Sequence, residues 1–313
     1  MEKEQTNIST KTKKKLPKWA TITLTCFGVA LAASAGVAGG IILGNVLSPI
    51  ADVDYENMTI ADYEDDANVL LKRYSKSQSG NYLKDFKPYE LASIARAKVG
   101  QHENVHTVGI GLVNATMGVK QTIRSYYIKD NDQYFFENIS KSAFAKINFR
   151  FYQSGQEVET YEGSGEEITR ADWPDNPTET SSLSEYEEKW GRDLSRTSIL
   201  IISSKTVLND QSSAVEKDGQ IHLSLELDPI TSVLRYVKQM KSTSKSTKYP
   251  TFHKMHIDMV LDKELNLLSS KTAETYDVEA KGLTSKNTTA SLEETFTYDQ
   301  NEVIPEIHTD CNY

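Results

Sequence analysis

The sequence predicts an α+β fold: one large, curled antiparallel sheet with helices packed against it, preceded by a single transmembrane helix. Three observations predict it. An uncharged run from Trp19 to Ala51 follows a lysine cluster (Lys11, Lys13, Lys14, Lys15, Lys18). Beyond it lies a long succession of short β-forming runs separated by turn residues. Helical periodicity is confined to two stretches before these runs and one among the later ones.

The uncharged run exceeds the roughly 20 apolar residues that a helix needs to cross a bilayer. Basic flanks stay cytoplasmic, so the chain after it is expected outside the cell membrane, which it crosses once. The expected units are a basic cytoplasmic tail (1–18), a signal anchor (19–47), a polar stalk (48–59) and one extracytoplasmic domain (60–313). A cleaved signal peptide is the rival reading, since Ala33-Ser34-Ala35 has the small residues of a cleavage site. Cleavage there would leave GVAGGIILGNVL as an exposed apolar terminus, whereas an anchor uses those residues to finish the span. Cys26 precedes most of its apolar run, which fits a lipoprotein signal poorly.

Within the span, Gly28, Ala32, Gly36, Gly40 and Gly44 recur every fourth residue and share one helix face. Such small-residue stripes let two membrane helices approach closely, which predicts a homodimer face. The plain alternative is that anchors are rich in Ala and Gly anyway.

The 313 residues are 38% hydrophobic and 25% charged with 8 prolines, the composition of an ordinary folded protein. Of the net charge of −9, the tail contributes +4, which leaves −13 beyond the span. That field repels nucleic acid and gives no attraction to an anionic membrane surface. Cys26 and Cys311 fall in different compartments, so no intrachain disulfide framework is expected. No cofactor is indicated.

In the domain, Ala67, Leu70, Leu71 and Tyr74 mark a first helix. A second opens at Pro88, buries Leu91, Ile94 and Ala95, and stops at Gly100. Strands are predicted near 105–114, 119–129, 133–139, 145–153 and 157–162, joined by turns such as Asp130-Asn131-Asp132 and Ser154-Gly155. The polar stretch 163–195 reads as a surface excursion with one helical turn at Tyr186 to Trp190. Strands resume at Ile199 to Ser203, Ile221 to Leu227, Met255 to Leu261, Leu265 to Val278 and Thr289 to Tyr298, around a helix from Pro229 to Lys241. Short connections imply a meander, and a wide sheet twists and curls.

The segment QIHLSLELDPITSVLRYVKQMKS, then YPTFHKMHIDMVLDKELNLLSSKTAETYDV and TFTYDQNEVIPEI, resembles the LolA, LppX and RseB-like group of extracytoplasmic proteins. The likeness lies in a strand entering an Leu227-Asp228-Pro229 helix start, a strand carrying Leu261-Asp262 into a turn, and a strand with Glu274-x-Tyr276. It implies an open half-barrel closed by helices, with an apolar interior that in several relatives holds acyl chains or lipoprotein anchors. A membrane span of its own sets this chain apart from freely shuttling members.

His102-Glu103-Asn104-Val105-His106 matches the H-E-x-x-H zinc protease pattern. That chemistry needs both His one turn apart on a single helix. Here Gly100 ends a helix and a strand begins, where positions four apart lie about 13 Å from each other. The match is read as chance, with no metal site and no enzyme. His253 and His256, in an alternating strand, face opposite sides. Asp52 to Glu56 starts like a calcium loop but has Asn57 at the sixth position and Tyr63 where the bidentate acid belongs. Gly163-Ser164-Gly165 is not a nucleophile elbow. Asn57, Asn114, Asn138 and Asn287 begin N-x-S/T sequons, which a secretory eukaryotic chain could glycosylate.

The leading expectation is a binding protein that holds a lipid or a lipidated partner in an apolar groove. Leu234, Val237 and Met240 of the late helix and Met255, Ile257 and Met259 of the facing strand would form its wall. Ordinary core packing is the alternative for each of these residues. The alternative function is a cell-surface interaction or envelope-sensing protein without a small ligand.

Overall fold

The computed structural model describes residues 50–313 apart from 78–80, 116–118, 143–145, 166–169, 192–193, 196–198, 245–247, 281–282 and 301. The expected span, with Gly28, Ala32, Gly36, Gly40 and Gly44, lies outside the described residues, among which no helix is long and apolar enough to cross a membrane.

Helix α1 (Ala67–Lys76) starts at Asp66, whose carboxylate accepts the Asn68 N–H at 2.9 Å. A short α2 (Tyr82–Asp85) leads into α3 (Pro88–Gln101). Proline opens α3, and the Glu90 carboxylate accepts the Lys87 N–H at 2.8 Å. Arg73 of α1 grips the same carboxylate with two donors, at 2.6 and 3.1 Å, and locks the two helices together.

The strands are β1 (Asn104–Asn114), β2 (Lys120–Asp130), β3 (Gln133–Ser142), β4 (Lys146–Ser154), β5 (Glu157–Glu162) and β6 (Glu179–Ser182). Helix α4 (Leu183–Trp190) follows, then β7 (Ser213–Lys217), β8 (Gln220–Leu227), α5 (Leu234–Ser244), β9 (Thr251–Leu261), β10 (Leu267–Ala280) and β11 (Leu283–Tyr298). All eleven form one curled antiparallel sheet in the order β6-β5-β4-β3-β2-β1-β11-β10-β9-β8-β7. It is a meander cut open between β6 and β7 and joined in the middle, where the first and last strands pair from Val105–Tyr298 to Asn114–Thr289. Alternation gives the sheet two faces. Ile221, Leu223, Leu225 and Leu227 point inward beside Met255, Ile257, Met259 and Leu261, while His222, Ser224 and Glu226 point outward.

Helices α3, α4 and α5 pack on the inner face, and the connection from β6 to β7, which includes α4, passes from one sheet edge to the other. Helices α4 and α5 touch at Gly191, where φ is +77° and an added Cβ would lie 2.6 Å from the Arg235 carbonyl oxygen. On the outer face the carboxyl-terminal segment crosses the first half of the sheet. Ile304, Cys311 and Tyr313 cover Tyr126, Ile128 and Phe135, and Ile307 covers Ile139, Tyr161 and Trp173.

Four expectations are corrected. Residues 50–59 of the expected stalk pack on the domain: Tyr55 is buried against Tyr249, ring centroids 5.5 Å apart, and the Ala51 carbonyl accepts the Thr251 hydroxyl at 2.7 Å. The polar stretch 163–195 contributes β6 and all of α4, and its Trp173, Tyr186, Trp190 and Leu194 are buried. Ile199 to Ser203 is irregular, with Ile201 N–H bonded to the Ser232 carbonyl instead of a strand. Helix α5 begins at Leu234, not Pro229, because the Asp228 carboxylate takes the N–H groups of Ile230 and Thr231 and holds 229–233 as turns.

Candidate functional site

Near the centre of the sheet β1 carries glycine at two successive inward positions. Gly109 and Gly111 alternate with outward Val108, Ile110 and Leu112, and face Ser125 and Ile123 on β2 and Glu294 and Leu292 on β11. A Cβ on Gly111 would lie 2.6 Å from the Ser291 carbonyl oxygen, and one on Gly109 would lie 2.1 Å from Ser125 Oγ. Inward strand glycines mark places where something else approaches the backbone.

Between the central strands and helices α3 and α5 lies a cavity of about 90 Å³, room for several waters on a scale where about 10–15 Å³ holds one. Val113, Ile123, Phe136, Leu200, Leu292 and Phe296 give it apolar walls. Arg96 of α3, Tyr236 and Gln239 of α5, Thr107 and Ser125 of the sheet, and the acids Glu274 and Glu294 make its polar side. Arg96 enters from the α3 flank beside the buried Ile94 and Ala95, and Nη1 donates to the Leu200 carbonyl at 3.1 Å. Burial pushes its ionisation down to about 10, which leaves it a cation at neutral pH.

Glu274 is the second unusual charge. Burial pushes its carboxyl up to about 7, only partly offset by the Tyr236 hydroxyl, which donates to it at 2.9 Å. Nearby on the inner face, Asn138 sits opposite Ser125, fully buried, with no partner for either amide atom among the described residues.

The six groove residues expected from sequence are brought together, but as core. Leu234, Val237, Met240, Met255, Ile257 and Met259 are each at most 2% exposed, and none lines the cavity. Helix α5 turns Tyr236 and Gln239 toward the hollow and its apolar stripe toward β8 and β9.

The H-E-x-x-H residues are separated by the end of α3 and the start of β1. His102 Nε2 lies 3.2 Å from Asn266 Oδ1, whereas the His106 ring packs on Tyr126, centroids 4.5 Å apart. The expected opposition of His253 and His256 is altered by an irregularity in the β9–β10 register. His253 reaches Asp277 at 3.1 Å, and His256 sits between Glu226 and Asp258, both at 2.9 Å. Ser224 Oγ lies 3.4 Å from His256 Nε2, a Ser-His-Glu arrangement in outline. Asp258 is closer to that nitrogen, so the atom that would take a serine proton is engaged by an acid.

Strand order, covering helices and cavity define an α+β half-barrel with a mixed apolar and charged interior. The chain is similar to a LolA superfamily protein from Nitrosomonas europaea at 9% identity, covering 66% of this chain and 93% of that one, with a TM-score of 0.26. It is also similar to the CurK dehydratase at 12% identity, covering 71% and 90%, with a TM-score of 0.13. No protein-family model and no curated protein matches the sequence. Superpositions this loose carry no residue correspondence, so every role assigned to a side chain rests on this chain's own geometry.

Proposed function

We propose that this chain is a membrane-anchored binding protein whose extracytoplasmic half-barrel holds a lipid or a lipidated partner between the sheet and its helices. The observation that carries the reading is the cavity between the central strands and helices α3 and α5. Protein interiors close to near-crystalline density, and a hollow at the centre of the sheet is costly unless something fills it. Apolar walls with a few converging polar groups are what ligand cavities present. The anchor follows from the uncharged run and its lysine flank.

The test is to isolate the full chain and an Ala290→Leu form, altered at a cavity-lining residue, from the same membranes, extract both with solvent, and compare bound lipid by mass spectrometry. An acyl-chain species enriched on the native protein and lost when the cavity is filled is expected. Equal lipid on both would place it around the span, not in the cavity, and would overturn the reading. The alternative, a surface-interaction protein, has one observation in its favour: Ile110 and Leu112 stand exposed on the outer face of β1.

A further inference from the structure

A guanidinium carries five N–H donors. Arg96 spends one, on the Leu200 carbonyl, and makes no ion pair among the described residues although it lines the cavity. Arg96 is half-buried, and a partly desolvated cation is costly unless paired and hydrogen-bonded. Its remaining donors belong to a charged group that lines the cavity.

A second group makes the same demand. Thr107 is 4% exposed, lines the same cavity, and its hydroxyl has no hydrogen-bond partner among the described residues. Leu292, Ile123 and Phe136 line the same cavity with apolar surface.

We infer that the occupant is a single-chain amphiphile with a carboxylate head, the head seated on Arg96 and Thr107 and the acyl chain lying along Leu292, Ile123 and Phe136. The inference rests on the binding reading above. One guanidinium balances one negative charge, and a planar carboxylate matches its fork. A doubly charged phosphate would meet Glu274 and Glu294 in the same cavity with a single cation to offset it. Two-chain lipids do not fit a space of this size.

The experiment uses the full chain in phosphatidylcholine vesicles at pH 8. The probes are hexanoic acid carrying a chain diazirine and the matching alcohol, photolysed separately, and labelled peptides from β1, β2 and β11 are quantified. On the native chain the acid should label these peptides about tenfold more than the alcohol. Arg96→Met should bring the acid down to the level of the alcohol, Arg96→Lys should keep part of the difference, and Thr107→Val should lower it less. Thermal melting by circular dichroism identifies any variant that has not folded, and Arg96→Lys and Thr107→Val then carry the test. Equal labelling by acid and alcohol on the native chain, or an Arg96→Met loss shared by both probes, would overturn the carboxylate inference and leave the binding reading intact. No labelling by either probe would overturn both.

Discussion

Arg150 and Glu137 form an ion pair sealed on the outer face of the sheet, Nε to Oε2 at 2.5 Å, each about 1% exposed. They face each other across β3 and β4, and the guanidinium also donates to the carbonyls of Ile307 and Thr309 in the carboxyl-terminal segment. Tyr313 closes the arrangement by donating its hydroxyl to Glu137 Oε1 at 2.6 Å. One buried pair thus ties the chain's last residues to its first hairpins.

Removing one partner should cost more than removing both. Arg150→Met leaves Glu137 buried with the Tyr313 hydroxyl as its remaining described donor, a loss of about 3–5 kcal/mol, whereas Arg150→Met with Glu137→Leu should lose less. Urea unfolding of the two forms checks the order. Cys311 reports the same strap. Burial and the nearby Glu137 charge push its thiol ionisation up, so the native thiol should react slowly with a disulfide reagent and the Arg150→Met thiol quickly. Identical rates would mean that the segment is held by something else.

Gly109 and Gly111 should respond differently to alanine. At Gly111 the obstacle is backbone, the Ser291 carbonyl oxygen, which moves only by bending β11 away. At Gly109 the nearest atom is Ser125 Oγ, which a rotamer change removes. Gly111→Ala is expected to cost about 1–3 kcal/mol and Gly109→Ala distinctly less. Melting curves that rank them the other way would contradict the close approach described for β1 and β11.

The span makes its own prediction. If Gly36 and Gly40 lie in a helix–helix seam, Gly36→Leu with Gly40→Leu should reduce cross-linking between copies in membranes while leaving the chain in the carbonate-washed pellet. Unchanged cross-linking would remove the seam. Release of the chain as a shortened soluble form would remove the anchor.

The strands were legible because their signals are local: alternation in 104–114 and 220–227 and the turn residues between hairpins give their boundaries to within a few residues. The early helices were legible from Pro88 and the spacing of Leu91, Ile94 and Ala95. What stayed hidden depends on distant partners. Trp173 and Trp190 sit in a stretch whose polar composition reads as loop, yet each finds an aromatic or cationic surface across the sheet, Arg150 beneath Trp173 and Phe149 beside Trp190. The tail from Val303 to Tyr313 has no periodicity to betray that Ile304, Ile307 and Tyr313 cover an outer-face core. Arg96 looks like an ordinary helix cation until the 199–200 turn closes over it. The six apolar residues chosen for a groove had the right periodicity for burial, but periodicity does not distinguish a wall from a core.

Glu274 should make stability fall with rising pH. Its carboxyl sits at an ordinary 4.5 when the chain is unfolded and is pushed up to about 7 in the folded state. Below about pH 4.5 both states hold the proton and the group costs nothing. Between the two values the unfolded chain gives up the proton while the folded one keeps it, so stability drops as pH rises, and it levels off above about pH 7 with a loss of about 3 kcal/mol. Glu274→Gln keeps an oxygen for the Tyr236 hydroxyl and has no proton to lose, so its stability should change less between pH 5 and pH 8 than that of the native chain. Urea midpoints of both forms at these two pH values give the comparison. Parallel shifts would mean that Glu274 ionises in the folded protein as readily as in water, and that water reaches the cavity freely from outside.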